Sequence, residues 1–396
     1  MRRGLVGAVS LIVMLLQTDP APAQTTLGRP APPEAGAIRV AAFNVSLNRR
    51  NPGELVQDLR LGDKAKTAPQ IDAVAEIIQR VRPDVILLNE IDWDRRGVSA
   101  TLFRDRLMSG AGGADGVDYP HIFTASVNTG VSSGFDLDGD GRLWGARDAF
   151  GFGYFEGQYG MAILSRLPFD EAAIRTFQNL RWAEMPGALI PRDHYGEAAD
   201  HLRLSSKSHW DAPVLLPDGR RLHLLASHPT PPVFDGPEDA NGRRNHDEIR
   251  FWTEYATGAD WMTDDAGAQG GLEAGASWVV LGDLNADPVD GDGLRAGIIG
   301  LMQIAQDPGP KSAGGAEAAS VGSNRFHKGD PALDTADWKD KGGPGNLRVD
   351  FALPGPGLEI VGSGVFWPAE EDPLRRLVGE GGKASSDHRL VWVDVR

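Results

Sequence analysis

The sequence predicts a single α/β or α+β domain. Short runs of strand length recur that are apolar at nearly every position. Segments with helical spacing stand between some of them, and polar residues gather where the runs stop. Runs without polar alternation suit strands covered on both faces, which sheets layered with helices or with each other provide.

Ile38-Arg39-Val40-Ala41-Ala42-Phe43 reads as a first strand stopping at Asn44. Thr67 to Arg82 places Ile71, Val74, Ile77, Ile78 and Val81 on one helical face, and Pro83 ends that helix because its ring crowds the helical conformation of the residue before it. Val85 to Leu88 is a buried strand ending at Asn89-Glu90. Met161 to Leu164 is another, and Leu222 to Ala226 leads to Ser227-His228. Asp247 to Asp260 is predicted helical, and Trp278 to Leu281 ends at Gly282-Asp283. Val349 to Leu353 and Leu390 to Val393 are further strands. The Gly/Asp-rich stretches near 110–157, 262–276 and 305–345 read as long loops.

The 396 residues carry a formal charge of −15 and no cysteine. A protein that coats nucleic-acid phosphates needs a basic excess, so that class is disfavoured. Catalysis on phosphate esters is not, because a bound divalent cation reverses the local field. Disulfides, thiolate metal sites and a cysteine nucleophile are excluded. Arg2-Arg3, the short apolar stretch Leu5 to Leu16 and Ala21-Pro22-Ala23 before Gln24 have the order of a cleavable export signal; an uncleaved interfacial anchor is the alternative. The expected organisation is a signal peptide at 1–23, a flexible Pro/Ala/Gly-rich leader at 24–37 and one catalytic domain at 38–396. The mature product is expected in the periplasm or secreted, off the membrane and monomeric.

The chemistry gathers at strand ends: Asn44, Glu90, His228, Asp283, Asn285, Asp350, Asp387 and His388. Glu90 and Asp387 offer anionic oxygen and Asn44 a neutral one, a set suited to Mg²⁺ or Mn²⁺. Two histidines titrate near neutral pH, and an aspartate beside one would fix its tautomer. Asn285 offers a donor to a phosphoryl oxygen that gains charge. Together they suit metal-assisted attack of water on phosphorus.

In this combination the chain resembles the endonuclease/exonuclease/phosphatase superfamily, whose members are similar to deoxyribonuclease I. The resemblance runs from Ile38 to Arg396 through Phe43-Asn44, Pro83-Asp84-Val85 to Asn89-Glu90, Gly160 to Arg166, Ser227-His228, Gly282-Asp283-Leu284-Asn285, Arg348 to Phe351 and Ser386-Asp387-His388, in the family's order. It implies a four-layer sandwich of two packed mixed β-sheets flanked by helices. It implies Glu90 as the main metal carboxylate, supported by Asn44 and Asp387. It pairs His388 with Asp350 to activate water or hold phosphate, gives His228 the phosphate and the leaving oxygen, and sets Asp283 with Asn285 to position nucleophile and phosphoryl group. Whether Asp283 or His388 is the base stays open. Asn89, Ser227 and Phe43 stand where the family commonly has Gln, Thr and Trp.

Three functions are consistent with this pattern: a phosphodiesterase such as a nuclease, a phosphomonoesterase on an inositol or sugar phosphate, and a non-catalytic calcium-dependent binding protein. The third is disfavoured by the full set of site residues. Asp136, Asp138, Asp140 and Gly141 match the first half of a calcium loop. The twelfth position is Arg147, followed by Asp148. A structural Ca²⁺ over 136–148 is expected, with a solvated acidic turn as the alternative. Tyr159 is expected to line the pocket. The segments Ser206 to Asp211 and Arg243 to His246, with Arg244 as a substrate-binding cation, are expected at the rim, where a nucleic-acid backbone is one potential partner.

Overall fold

The computed structural model describes residues 30–382 and 384–396, so the expected signal peptide and the first part of the leader lie outside them. In chain order the strands are β1 (Ile38–Leu47), β2 (Val85–Ile91), β3 (His121–Phe123), β4 (Met161–Ser165), β5 (Arg175–Thr176), β6 (His209–Asp211), β7 (Val214–Leu215), β8 (Arg221–Ser227), β9 (Trp278–Asp283), β10 (Ala336–Asp337), β11 (Asn346–Leu347), β12 (Asp350–Pro354), β13 (Ile360–Val365) and β14 (Val391–Val395). The α-helices are α1 (Glu54–Leu61), α2 (Ala68–Val81), α3 (Val98–Met108), α4 (Arg192–Tyr195), α5 (Ala240–Ala256), α6 (Ala296–Ile304) and α7 (Ala313–Glu317).

Two mixed sheets form. The first has the order β13-β14-β1-β2-β4-β3 and the second β12-β9-β8-β6-β5, with β7 beside β8. Each contains one parallel pair, β1 with β2 and β8 with β9, and its other pairs are antiparallel. One apolar cluster joins the sheets to α2 and α3, taking Val279 and Leu281 from β9 and Ile71, Val74, Ile77 and Ile78 from α2. A second takes Trp278 and Val280 from the other face of β9, with Ile249, Trp252 and Tyr255 of α5 and Ile298 and Leu301 of α6. Successive β9 side chains thus enter different layers, so every position is apolar. The layers run helices, sheet, sheet, helices, as the family resemblance implies.

The α2 helix follows its sequence closely. Thr67 sits at its N-cap position and Pro69 in its first turn, and it ends at Arg82, which takes φ +51° before Pro83. Burying each Ile or Val of its inner face contributes about 1.5–3 kcal/mol. The α5 helix begins at Ala240, well before the expected Asp247. Its first two turns are polar and lack the apolar period, because what they bury are hydrogen-bonded groups such as Asn245. The expected loop at 305–345 holds α7 and the β10–β11 pair. The described part of the leader is tied down: Arg39 Nη2 donates to Ala31 O at 2.7 Å, and Arg396 pairs with Glu34 at 2.6 Å.

Topology decides which end carries the polar groups. Asn44 lies opposite Asn89 in the parallel pair, and Asp283 opposite Asp350 in the antiparallel one. The carboxyl ends of β1, β2, β8 and β9 therefore share a rim with the amino ends of β12 and β14.

Candidate active site

Asp283, 1% exposed, stands at the centre of that rim. Its Oδ2 accepts from Asn44 Nδ2 at 3.0 Å and lies 3.3 Å from His228 Nε2 and 3.6 Å from His388 Nε2. Its Oδ1 accepts the Asn285 backbone N–H at 3.0 Å. On the far side of His388, Nδ1 meets Asp350 Oδ2 at 2.9 Å. Asn285 Nδ2 donates to Pro229 O at 3.1 Å. Asn44, His228, Asp283, Asn285, Asp350 and His388 thus form one connected group.

Glu90 stands beside it on β2. Its Oε2 accepts from Asn48 Nδ2 at 2.8 Å, and among the described residues no basic side chain pairs with it. Its backbone holds φ +59°, and Asn285 holds φ +50°. Such conformations cost non-glycine residues of order 1–3 kcal/mol and persist where surrounding structure fixes them. Asp387 turns toward Trp338, whose Nε1 donates to its Oδ2 at 3.0 Å. The oxygen donors Glu90, Asn44 and Asp387 suit a hard divalent cation, and a carboxylate without a cationic partner is what such an ion would neutralise. Buried Asp350 Oδ1 and His228 Nδ1 also have no hydrogen-bond partner.

The electrostatics separate the two imidazoles. Burial works against a charged His388, but Asp350 and Asp283 outweigh it and lift its pKa well above the ordinary value. For His228 burial prevails, aided by nearby Lys207, and the ring is pushed toward its neutral form. Burial acts to raise Asp283 too, yet His388, His228 and Asn44 hold it well below the usual carboxylate range. Burial lifts Asp350 to about 6, against the pull of His388.

Several residues that hold this group carry no motif. Asn89 links the sheets: its Oδ1 accepts Asp283 N–H at 3.1 Å and its Nδ2 donates to Ser227 O at 3.3 Å. Buried Glu248 accepts Ser206 N–H and Thr230 N–H, both at 2.6 Å, and Asn245 Nδ2 donates to Thr230 O and Leu284 O. Both side chains sit on α5 and fix the loops that carry His228 and Asn285. Thr335 Oγ1 accepts the backbone N–H groups of Val349 and Asp350, and Ser386 Oγ joins Asn44 O to His388 N–H. Lys207 is buried close enough to Glu90 and Asp283 that their charges act on it, though burial still lowers its pKa. A single sequence signals such partners only through polar residues in otherwise apolar contexts.

The remaining expected residues divide. Tyr159, half-buried with φ +56°, gives its N–H to Asp92 Oδ1 at 3.3 Å. Burial raises its hydroxyl pKa, with Glu90 adding to the shift. Arg244 lies on α5 and donates to Leu204 O at 2.9 Å and Arg203 O at 2.7 Å, so its guanidinium ties the helix to the chain before Lys207. In the acidic loop, Asp136, Asp138 and Asp148 can bring oxygens within 4.8 Å of one another. Asp140 is absent from that group: it is exposed, and its Oδ1 accepts Arg142 N–H at 2.9 Å. Buried Asp148, returning from the far end of the loop, takes the third place.

Two imidazoles on one buried carboxylate, beside the left-handed backbone of Glu90 and Asn285, are groups able to move protons around a polar substrate. The chain belongs to the Endonuclease/Exonuclease/phosphatase family, which residues 41–388 match. Enzymes of that family are metal-dependent phosphoesterases, and this protein is a phosphoric ester hydrolase.

Solved structures with a similar fold include an endonuclease/exonuclease/phosphatase from Beutenbergia cavernae DSM 12333, at 17% identity over 91% of this chain and 71% of that one, TM-score 0.48. A family protein from Leptotrichia buccalis C-1013-b shows 13% identity over 91% and 100%, TM-score 0.46. TDP2 from C. elegans shows 14% over 92% and 76%, TM-score 0.42. Among curated proteins, none matches this sequence.

Proposed function

We propose that the protein is a divalent-cation-dependent phosphodiesterase that cleaves its substrate by attack of water on phosphorus. One observation carries the reading: Asp283 Oδ2 lies within 3.6 Å of both His228 Nε2 and His388 Nε2. Glu90, Asn44 and Asp387 would hold Mg²⁺ or Mn²⁺, which when bound polarises the phosphate and offsets its charge.

The chain's own groups then divide the work. Asp283, kept anionic, accepts a hydrogen bond from the attacking water at Oδ2 and takes its proton. His388, kept charged by Asp350, is poorly suited as the base and donates instead to a phosphoryl oxygen. As the P–O bond to the leaving group breaks, His228 Nε2–H donates to the departing oxygen, while Asn285 Nδ2–H donates to a phosphoryl oxygen where charge grows in the transition state. Asn89 and Asn44 keep Asp283 in place throughout.

Buried Lys207 favours a second reading, a phosphomonoesterase, because an amine fixed beside the site can donate to the additional oxygen charge of a dianionic ester. The deciding experiment is a Mg²⁺-supported comparison of bis-p-nitrophenyl phosphate with p-nitrophenyl phosphate. Preference for the diester supports the first reading, preference for the monoester the second, and hydrolysis of neither ends both.

Two finer proposals accompany this. Asp136, Asp138 and Asp148 would take a structural Ca²⁺, supported by the approach of their oxygens and by the turn at Gly141, φ +84°. Export is supported by the order of charged, apolar and small residues through Ala23; amino-terminal sequencing of the processed protein should begin at Gln24. Among the described residues no helix is long and apolar enough to cross a membrane.

A further inference from the structure

Asp387 stands next to His388 on the rim, yet one of its oxygens is already engaged. Trp338 Nε1 donates to Asp387 Oδ2 at 3.0 Å, and among the described residues no other side chain donates to that carboxylate. An indole N–H only donates, so it holds a carboxylate oxygen without competing for a cation. The ring itself is braced. It meets the His388 imidazole edge-on, with centroids 5.5 Å apart and planes at 82°, and it packs against the apolar cluster of Ala336, Leu347 and Val349.

The chain that carries Trp338 is fastened to the segment that carries Asp387. Asp337 N donates to Asp387 O at 2.8 Å and Arg389 N to Thr335 O at 2.7 Å, so β10 is bonded to the chain on both sides of His388. Buried Arg389 pairs with Asp337 at 2.6 Å, and its guanidinium lies 4.3 Å over the Trp367 ring. On the other edge of β10, Ala336 and Asp337 pair with Leu347 and Asn346 of β11. With both backbones fixed, the indole N–H selects one rotamer of Asp387 from the several its position would otherwise allow.

We infer that Trp338 is a positioning residue of the cation site: by holding Asp387 Oδ2 it fixes the carboxylate and leaves Oδ1 as the oxygen for Mg²⁺ or Mn²⁺. The inference rests on the phosphoesterase reading and goes beyond it, because it gives a function to β10, which lies in a stretch the sequence marks as loop. A hydrogen-bond partner behind a metal carboxylate orients it in advance, and losing such a partner typically weakens metal binding about 10–100-fold.

Binding can be measured without turnover. Isothermal titration of the substrate-free protein with Mn²⁺, counting only the binding that Glu90→Ala removes, separates this site from the acidic loop. Trp338→Phe keeps a ring against His388 and deletes the N–H; it should weaken Mn²⁺ binding about tenfold. In an Asp387→Ala background the same change should have no effect, because the hydrogen bond it deletes is already gone. Asp387→Asn gives a second measurement with the indole intact. Its amide oxygen meets the N–H and its NH₂ is left toward the cation, so binding should fall as far as in Asp387→Ala. Unchanged affinity in Trp338→Phe, an equal loss in both backgrounds, or an Asp387→Asn protein that binds better than Asp387→Ala would overturn the role of Trp338. Absence of any Mn²⁺ binding sensitive to Glu90→Ala would overturn the cation reading instead, so the two failures are separable.

Discussion

The Glu90 carboxylate shows how much one residue is asked to do. It has a left-handed backbone, an oxygen held by Asn48, and no basic partner among the described residues. Each feature fits a group reserved for a cation. Glu90→Ala, Asp283→Ala and His388→Ala should each lower turnover at least about 100-fold, as measured with bis-p-nitrophenyl phosphate. Asn48→Ala should act more gently: Mg²⁺ titration of activity should shift about 10-fold or more toward higher concentration, since it orients the carboxylate without replacing it.

A second residue-level prediction concerns His209, buried between Ser205 Oγ and Glu248 O. Burial lowers its pKa to about 4 from 6.5. The folded state therefore binds fewer protons than the unfolded state between those values. Its contribution is complete above pH 6.5 and is lost as pH falls toward 4. Compared with the unaltered protein, His209→Gln should lose less melting temperature, or gain more, as pH falls over that interval, even if it lowers stability at pH 7.

At the scale of elements, the α5 helix is the main support of the site. Its apolar half packs under the second sheet, while Asn245 and Glu248 hold two catalytic loops. Glu248→Gln keeps the shape but replaces one acceptor oxygen with a donor, leaving either Ser206 N–H or Thr230 N–H without its partner. Denaturant unfolding should show a loss of about 1–3 kcal/mol, and turnover should fall with it because His228 loses its fixed loop. Unchanged unfolding would show that water replaces the lost acceptor. The start of α5 also explains a misjudged boundary: hydrophobic period marks a helix only where its buried face is apolar, and the Ala240–His246 turns bury amides instead.

At the scale of the molecule, two sheets meet so that groups far apart in sequence converge at one rim. Chelation with EDTA should abolish hydrolysis and added Mg²⁺ should restore it; activity indifferent to EDTA would remove the cation from the proposal. Calcium should raise the melting temperature through the 136–148 loop, by mass action on the folded state. Asp138→Ala should remove that rise, and Asp140→Ala should spare most of it, because Asp148 and not Asp140 approaches the other two carboxylates.

Local patterns in the chain were enough to specify β1, β2, β4, β8, β9, β12 and β14, the α2 helix and the polar residues at strand ends, because apolar periodicity and proline act over a few residues; the short strands and β13 carry no such run. The identities of Asp283, His388 and Glu90 were legible for the same reason: Asp283 and Glu90 each follow an apolar run, and His388 stands just before one. The cross-sheet tie of Asn89, the turning of Asp387 toward Trp338 and the approach of Asp148 rather than Asp140 to Asp136 and Asp138 were decided only by tertiary packing, which also brought His388 to the Asp350 that the resemblance implied. Those relations depend on distances between segments tens to hundreds of residues apart, and a charge acquires its altered pKa only when folding removes water and supplies its neighbours.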